Sequence, residues 1–499
     1  MSDKNVKDIF SENLRYWMNE RGMKQSDLAA GLGISEAAVS FWLSSQKYPS
    51  PVKLQMLAEF LKVRKSDLIE DNGHGEAAAE ASGREETSQK KDKAPRKVDK
   101  SEKLEGVCYD VRGPVLDEAN RMIENGTNII KLNIGNPAPF EFYAPDEVIE
   151  DMIRNLRASE GYSDSKGLFS ARKAVMQYCQ LKKFPNVGIN DIYTGNGASE
   201  LITMAMNGLL NNGDEILVPM PDYPLWTASI KLSGGEPVHY RCDEASNWYP
   251  DIADIRKKIT DKTRGIVIIN PNNPTGALYP VEILQQVADL AREFDLIVFA
   301  DEIYDRLVMD GKVHVSIASL LPDRLCVTFN GLSKSHKVAG FRVGWMVLSG
   351  DKRRYKGYIE GLNLLSSMRL CSNVPGQSII QTALGGQQVG EQLLVPGGRI
   401  FEQREYIYNA LNSIPGISVT KPDAAFYIFP KIDLKKIPIF DDEQMALDLL
   451  KEQHILILQG TAMNWDSPDH FRIVYLPHRR TLEKAVDGMA EFFANYSQE

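Results

Sequence analysis

Cysteine is scarce in this sequence, with five residues among 499, and no two of them form a C-x-x-C pair. They are scattered along the chain, at Cys108, Cys179, Cys242, Cys326 and Cys371. A disulfide framework and a zinc site both need clustered or regularly spaced cysteines, so neither is indicated. We therefore expect no metal site and a chain that works in the reducing cytoplasm.

Long apolar runs and an excess of positive charge are also missing. The first ten residues, MSDKNVKDIF, contain no apolar signal segment, and no run approaches the roughly 18 apolar residues that span a membrane. The net charge of −9 argues against a chain whose main task is to coat nucleic acid. With 43% hydrophobic and 25% charged residues, the composition is typical of a soluble globular protein.

The stretch 71–103 has no aromatic and almost no branched apolar residue, and its charge changes from acidic to basic along its length. Such a segment cannot bury enough apolar surface to offset the entropy that is lost on ordering. We predict a disordered linker at 71–103, which separates a small domain at 1–70 from a large domain at 104–499.

The small domain contains four amphipathic helical patterns, each bounded by Gly, Ser or Pro, at residues 9–22, 25–33, 35–45 and 51–63. This predicts a compact all-helical bundle. Within it, a short helix, a turn at Gly33 and a helix capped by Ser35 follow one another. The pattern resembles the helix-turn-helix domain of the phage-repressor (Cro/CI-like) family over about residues 9–69, and it is matched at Leu28, Ala29, Leu32, Gly33, Ile34, Ser35, Val39 and Trp42.

The resemblance implies a DNA-binding domain whose second helix enters the major groove. The early residues of that helix are Glu36, Ala37, Ala38 and Ser40. Because none of them is an arginine that reads guanine, and because the domain is close to neutral, we expect weak binding by a single copy. A helical interaction or dimerisation module is the alternative.

The large domain alternates helical stretches with short apolar runs. EILVPM, GIVIIN, LIVFAD, LCVTFN and GWMVLS are rich in β-branched residues and continuous, as expected of strands that are buried on both faces. We predict an α/β fold with a mostly parallel sheet, whose ligands gather at the carboxyl ends of the strands. Asn273, Asp301 and Lys334 each follow such a strand.

From about residue 104 onward the chain resembles the class I aminotransferases of the pyridoxal-phosphate fold type I superfamily. The motifs are PNNPTG (271–276), ADEIYDRL (300–307), SK…GFRVGW (333–345) and FRIVYLP (471–477), and their joint occurrence in this order is specific. NIGNPAPF, CYDVRGPV, GYIEGLNLL, MRLCSNVP and VPGGRIFEQR indicate the bacterial glutamate-pyruvate (alanine) aminotransferases as the subgroup. The resemblance implies a large domain and a smaller α/β domain that bind pyridoxal 5'-phosphate.

The resemblance also implies the roles of five residues. Lys334 would bind the cofactor covalently and, once freed by the incoming amine, act as the base for the 1,3-proton shift. Asp301 would pair with the pyridine nitrogen and keep the ring an electron sink. Tyr304 and Asn273 would bond the phenolic oxygen, and Tyr223 would stack on the ring.

The phosphate group needs donors in a fixed cradle, and a Gly-containing loop that opens a helix supplies them. The predicted cradle consists of Gly197, Ala198, Ser199, Ser333 and Arg342. Many relatives have a serine three residues before the lysine, where this chain has Gly331, so one phosphate bond is missing or replaced. Tyr162 matches a tyrosine that relatives donate across a dimer interface, which implies a homodimer.

Amino-acid substrates share an α-carboxylate, which a planar guanidinium binds through two parallel hydrogen bonds. Arg472 occupies the family position for this task, together with Asn273 and the backbone at Gly135. Arg112 is the candidate cation for the second carboxylate of glutamate or 2-oxoglutarate, and a surface ion pair is an equal alternative.

Two classes of function remain open. The first is a transaminase that exchanges the amino group of alanine with 2-oxoglutarate, or one that acts on another amino acid. The second is a transcriptional regulator that uses the aminotransferase-like domain as a sensor. The predicted catalytic residues are all present, which favours the enzyme.

Overall fold

The computed structural model describes residues 5–70, 101–104, 107 and 113–498. The chain divides into two units, Met1–Val98 and Asp99–Glu499. Most of the predicted linker, 71–100, lies outside the described residues. Its last two residues, 102 and 103, belong to a short 3₁₀ helix, Glu102–Leu104. The boundaries predicted at 70 and 104 stay a prediction.

In its described part, residues 5–70, the N-terminal unit is helical apart from short turns, as predicted. Its helices are α1 Val6–Glu20, α2 Gln25–Leu32, α3 Glu36–Leu43, α4 Pro51–Phe60 and α5 Lys65–Ile69. The sequence patterns predicted the first four. The short fifth helix was missed, although Asp67 supplies a start signal by accepting the backbone N–H of Arg64 at 2.9 Å.

Local sequence explains the turn between α2 and α3. Gly33 ends α2 in a left-handed conformation with φ of 62°, which glycine adopts without steric cost. Ser35 then caps α3, because its Oγ accepts the backbone N–H of Ala38 at 3.3 Å. Phe10, Leu28 and Leu57 are fully buried in the core shared by the helices, so this unit has a core of its own.

The C-terminal unit contains the remaining elements. Its α-helices are α6 Pro114–Glu124, α7 Asp146–Asn155, α8 Phe169–Leu181, α9 Ala198–Leu209, α10 Leu225–Leu232, α11 Ile252–Lys258, α12 Val281–Glu293, α13 Leu332–Ser335, α14 Lys356–Met368, α15 Val374–Ser378, α16 Ile380–Gly385, α17 Arg399–Asn412, α18 Asp442–Gln453 and α19 Arg479–Asn495. Its strands are β1 Ile130–Lys131, β2 Ile192–Asn196, β3 Glu215–Met220, β4 Glu236–Asp243, β5 Tyr249–Pro250, β6 Thr263–Ile269, β7 Ile297–Asp301, β8 Cys326–Gly331, β9 Val343–Ser349, β10 Ile417–Ser418, β11 Tyr427–Ile428, β12 Lys431–Ile432, β13 Ile455–Leu456, β14 Leu458–Gln459 and β15 Phe471–Val474.

The largest sheet has eight strands in the order β2-β9-β8-β7-β6-β3-β4-β5. The central neighbours β4, β3, β6, β7 and β8 run parallel, whereas β9 is antiparallel to both β8 and β2. The five apolar runs are all strands of this sheet, and the predicted mostly parallel α/β class is confirmed.

Burial on both faces explains why these strands read as continuous apolar runs. On β6, Ile266 and Ile268 belong to a core that includes residues of α11 and α12. The alternating Val267 and Ile269 belong to a second core, with residues of α9, α10 and α14. Each face of the sheet is thus covered by helices.

A smaller α/β part is built mainly from the last hundred residues. Its three-stranded sheet has the order β11-β15-β14, and β1 pairs with β13 in parallel. A separate core joins these strands to α6, α17, α18 and α19. This part places Arg472, on β15, opposite Leu458 of β14.

Candidate active site

Three neighbouring parallel strands end at one edge of the large sheet. In the ladder, Ile269 at the end of β6 pairs with Asp301 at the end of β7, and Asp301 pairs with Phe329 near the end of β8. The chain after these strands carries Asn273 and Lys334. The fold therefore gathers the predicted polar groups at the carboxyl edge, where open α/β sheets bind ligands.

Lys334 lies on the short helix α13, which begins directly after β8. Its Nζ donates to the carbonyl oxygen of Gly135 at 2.6 Å and lies 5.8 Å from the ring centre of Phe426. A Cβ atom at position 135 would approach Tyr427 Oη to 2.0 Å. The missing side chain of glycine thus lets the backbone at 135 lie against the rings of Tyr427 and Phe426.

Asp301 is buried at the end of β7. Its Oδ2 accepts from Trp226 Nε1 at 3.1 Å, and its Oδ1 accepts the backbone N–H of Ile303 at 3.3 Å. Burial raises the pKa of this carboxyl to about 6, although both hydrogen bonds and the nearby Lys334 act in the opposite direction. A desolvated carboxylate that faces a cavity is stabilised by any cation that enters it.

The hydroxyl groups of Tyr304 and Tyr427 form a hydrogen bond, with 2.8 Å between the two oxygens. Burial, followed by the neighbouring Tyr427, raises the pKa of Tyr304 well above its ordinary value. The phenol therefore stays protonated at neutral pH, and its hydrogen faces a ligand when Tyr427 is the donor of the bond between the two hydroxyls.

Arg472 is buried beside Asn273. Its Nη1 donates to Asn273 Oδ1 at 3.0 Å, and its Nη2 donates to the carbonyl oxygen of Asn133. The guanidinium carbon lies 4.7 Å from the ring centre of Tyr427, whereas Nε has no hydrogen-bond partner among the described residues. All of these partners of the guanidinium are uncharged. Its positive charge is therefore not neutralised by them and can bind an anion.

The start of α9 forms another part of the site, through Ala198 and Ser199. This twelve-residue helix follows β2 through Gly197, whose φ is 81° and whose Cβ, if present, would lie 2.3 Å from Arg342 Nη2. Arg342 Nη2 donates to the carbonyl oxygen of Asn196 at 3.3 Å. A helix N-terminus and an arginine thus meet, which favours an anion. At Gly331 a Cβ would lie 2.5 Å from the carbonyl oxygen of Val343, so a serine at this position does not fit this backbone.

These groups surround one cavity of about 320 Å³. The predicted site residues that line it are Gly135, Ala198, Ser199, Tyr223, Asn273, Asp301, Tyr304, Ser333, Lys334, Arg342 and Arg472. Gly197 is not among the lining residues, but it directly precedes Ala198 and lies against Arg342, which both line the cavity. The side chain of Tyr162 is 82% exposed and does not line the cavity, and Arg112 lies outside the described residues.

Sequence reasoning missed several lining residues, namely Leu116, Ile134, Ile202, Ile269, Ile303, Ala339 and Tyr427. Most are ordinary apolar residues, which a sequence pattern does not distinguish from core residues. Tyr427 is different, because the run AAFYIF contains a tyrosine among buried positions. A buried hydroxyl needs a polar partner, so a tyrosine within this apolar run indicates a nearby polar site.

Residues 127–489 match the family Aminotransferase class I and II. The chain belongs to this family. Glutamate-pyruvate aminotransferase AlaA of Escherichia coli is 59% identical over 401 residues, covering 80% of this chain and 99% of the relative. Alanine aminotransferase of Mycobacterium tuberculosis is 53% identical over 399 residues, covering 80% and 93%.

Solved aminotransferase structures have the same fold. An aminotransferase from Escherichia coli matches with a TM-score of 0.80 and 58% identity, covering 81% of this chain and all of the other. Alanine aminotransferase from Pyrococcus furiosus matches with a TM-score of 0.75 and 38% identity, covering 79% and 100%. The predicted fold type I architecture and the enzyme class, an aminotransferase, are confirmed.

Residues 14–68 match the family Helix-turn-helix, which confirms the predicted N-terminal domain. Among the described residues, no group of three or more His, Cys, Asp or Glu side chains is arranged to hold a metal ion. Within the same part of the chain, no helix is both long and apolar enough to cross a membrane.

Proposed function

We propose that this aminotransferase uses pyridoxal 5'-phosphate to transfer the amino group of alanine to 2-oxoglutarate, yielding pyruvate and glutamate. The observation that carries the proposal is the convergence of the Lys334 amine, the Asp301 carboxylate and the Arg472 guanidinium on one cavity. The names of the relatives that are 59% and 53% identical support alanine and glutamate as substrates.

The residues present fit the cofactor. The desolvated Asp301 suits the protonated pyridine nitrogen, and Tyr304 and Asn273 would hold the phenolic oxygen. Tyr223 would lie against the ring. The phosphate would be held by the start of α9 and its neighbours, namely Gly197, Ala198, Ser199, Ser333 and Arg342. When bound, the cofactor supplies an electron sink for the carbanion at the substrate's Cα.

The chain's own groups bind the substrate and move the proton. Arg472 would bind the α-carboxylate shared by all amino and 2-oxo acids, and its contacts with Asn273 and Tyr427 fix its orientation beforehand. Lys334 Nζ would act as the base that takes the proton from the substrate's Cα and holds it for redelivery. The carbonyl of Gly135, which holds Nζ at 2.6 Å, keeps this amine at the cavity wall.

We also propose that the enzyme is a cytoplasmic homodimer. Tyr162 is exposed, and its segment is joined to α14 by a hydrogen bond from Ser366 Oγ to the carbonyl oxygen of Ser165 at 2.7 Å. On α14, Leu364 and Met368 are exposed apolar residues. Exposed apolar surface favours burial against a second copy, which would bring the partner's tyrosine to the phosphate.

The test is an assay of purified protein with alanine and 2-oxoglutarate, in which pyruvate and glutamate should form in equal amounts. We expect Lys334→Ala to lower kcat by at least the roughly 10²–10⁴-fold that a lost proton-transfer group costs. A faster reaction with another donor amino acid would contradict alanine specificity. Cofactor binding without turnover of any donor would favour the sensor function instead.

A second function is proposed for the N-terminal unit, namely sequence-specific DNA binding. It is supported by the helix-turn-helix match at residues 14–68 and by the Gly33 turn and Ser35 cap that set α3 against α2. Gel-shift titration of full-length protein against an operator pool tests it, and binding without sequence preference would contradict it.

A further inference from the structure

A pair of hydrogen bonds joins the end of β3 to the loop 460–465, which leaves β14. Asp222 lies two residues after β3 and directly before the cavity-lining Tyr223. Its backbone N–H donates to the carbonyl oxygen of Met463 at 3.0 Å. Its carboxylate Oδ1 accepts from Asn464 Nδ2 at 2.6 Å. The bonded residues Asp222 and Asn464 are 242 positions apart in sequence, so the contact holds two distant segments together.

The second oxygen of the Asp222 carboxylate is also bonded. Oδ2 accepts from Thr227 Oγ1 at 3.0 Å, and the same hydroxyl lies 2.9 Å from His239 Nε2. Asp222 is fully buried, and burial raises the pKa of its carboxyl to about 7. Because a buried polar group is costly when it loses a partner, these contacts strongly favour one position of the loop.

The loop that Asp222 holds is in contact with Arg472. Met463 is fully buried, and its Sδ lies 3.8 Å from Arg472 Nη1. The loop also begins beside β15, because the backbone N–H of Gly460 donates to the carbonyl oxygen of His470 at 2.9 Å. A displacement of Met463 would therefore remove one of the groups that restrict the guanidinium.

We propose that Asp222 is a positioning residue for the α-carboxylate site, acting on Arg472 through Asn464 and Met463. This inference rests on the proposed transaminase function, in which Arg472 binds the substrate carboxylate. Since the α-carboxylate is common to amino and 2-oxo acids, loss of the Asp222 contacts should weaken binding of both substrates to a similar extent.

The kinetic test compares four variants. Asp222→Ala and Asn464→Gly each remove the contact, and glycine suits position 464 because its φ is 55°. Asp222→Asn keeps an oxygen that accepts from Asn464 and serves as the rescue variant. Asp214→Ala is the matched control, since Asp214 is a buried, hydrogen-bonded aspartate directly before the other end of β3.

We expect Asp222→Ala and Asn464→Gly to raise KM for alanine and for 2-oxoglutarate by about tenfold, as for loss of one good hydrogen bond, with cofactor affinity unchanged. Asp222→Asn should restore most of the wild-type KM, and Asp214→Ala should leave it unchanged. Unaltered KM values in both disruptive variants, or an equal loss of cofactor affinity, would overturn the proposal.

A second measurement separates this proposal from the proposed function. Hydrogen exchange of the cofactor-free protein should be faster for the loop 460–465 in Asp222→Ala and Asn464→Gly than in Asp214→Ala. Unchanged exchange there would overturn the positioning role even in an active enzyme. If the wild-type protein transaminates no donor, the proposed function fails, while the exchange result still decides whether Asp222 holds the loop.

Discussion

At the scale of single residues, Glu302 shows what burial does to a carboxyl group that lies next to the site. It follows Asp301, is buried, and accepts a hydrogen bond from Ser316 Oγ at 2.6 Å. Burial, together with Asp305 and Asp301, raises its pKa to about 8. Glu302 is therefore protonated in the folded protein at neutral pH, whereas in the unfolded chain it is ionised.

This difference predicts a dependence of stability on pH. The stabilisation from protonated Glu302 is fully present below its unfolded pKa of about 4.3 and is lost as the pH rises through about 8. Between pH 6.5 and 8, we expect Glu302 to lower the free energy of unfolding by about 1.4 kcal/mol per pH unit at most. Asp222, whose pKa burial raises to about 7, adds a fall of the same sign in the lower part of this range, and this part remains in a Glu302 variant. His239 and His314, whose pKa values burial lowers to about 4, act in the opposite direction but below this range.

Urea unfolding of Glu302→Gln and of the wild type at pH 6.5 and 8 measures the effect. The variant should lose much of this pH dependence, because glutamine does not ionise and its amide oxygen can still accept from Ser316. Glu293→Gln is the control, since the Arg256 guanidinium lowers the pKa of Glu293. The same fall in wild type and Glu302→Gln would contradict the assignment.

Arg472→Ala should raise KM for every amino-acid substrate far more than it weakens cofactor binding. A lost charge-assisted hydrogen bond costs about 1.5–3 kcal/mol, or roughly ten- to hundredfold in affinity. Arg399→Ala is the control, because Arg399 donates to the carbonyl oxygen of Leu476 at 3.1 Å and does not line the cavity. Steady-state kinetics measure KM, and titration measures the affinity for the cofactor. If substrate and cofactor binding weaken equally in Arg472→Ala, the arginine has a structural role instead.

At the scale of elements, the start of α9 is where the fold makes an anion site. The strand β2 delivers the chain to Gly197, whose positive φ turns it into a helix whose first N–H groups are free to face a ligand. Arg342 lies against the same turn. The site therefore depends on a close approach that leaves no room for a side chain at position 197.

Gly197→Ala should weaken cofactor binding by at least tenfold, because the new methyl group would displace the Arg342 guanidinium. Gly213→Ala is a matched control, since Gly213 has a similar φ of 85° and nothing lies within 4 Å of its added Cβ. Both variants should lose about 1–3 kcal/mol of stability, because a residue other than glycine is strained at a positive φ. Cofactor titration that shows equal affinities for the two variants would refute the assignment of this cradle.

At the scale of the whole molecule, the N-terminal unit needs positive charge to bind DNA, whereas the chain as a whole is acidic. The chain has a net charge of −9, and α3 carries no arginine, so one helix-turn-helix unit has little attraction for phosphate. A homodimer would carry two such units, and joining them raises the effective concentration of the second at a neighbouring half-site. DNA binding would then depend on the oligomeric state of the enzyme.

Full-length protein should thus bind an operator sequence specifically, whereas the fragment 1–70 should bind the same DNA weakly. Titrations at several salt concentrations measure both affinities and their salt dependence. Equal sequence preference in fragment and full-length protein would retain DNA binding but remove the contribution of dimerisation. The fragment has a buried core of its own, with Phe10, Leu28 and Leu57, so we expect it to fold without the rest of the chain.

The sequence by itself determined the two folds and most of the candidate site. Continuous apolar runs predicted β3, β6, β7, β8 and β9, because strands covered on both faces leave no polar alternation. Family motifs then placed Lys334, Asp301 and Arg472, since each motif is a local pattern of residues.

Only the tertiary structure decided how distant segments meet. The antiparallel direction of β9 depends on its neighbours, and the apolar run alone does not specify it. The contacts of Tyr427 with Tyr304 and of Asp222 with Asn464 join residues more than a hundred positions apart. Such pairings follow from how whole elements pack, because burial and hydrogen bonding act between neighbours in space, whereas the sequence records only neighbours along the chain.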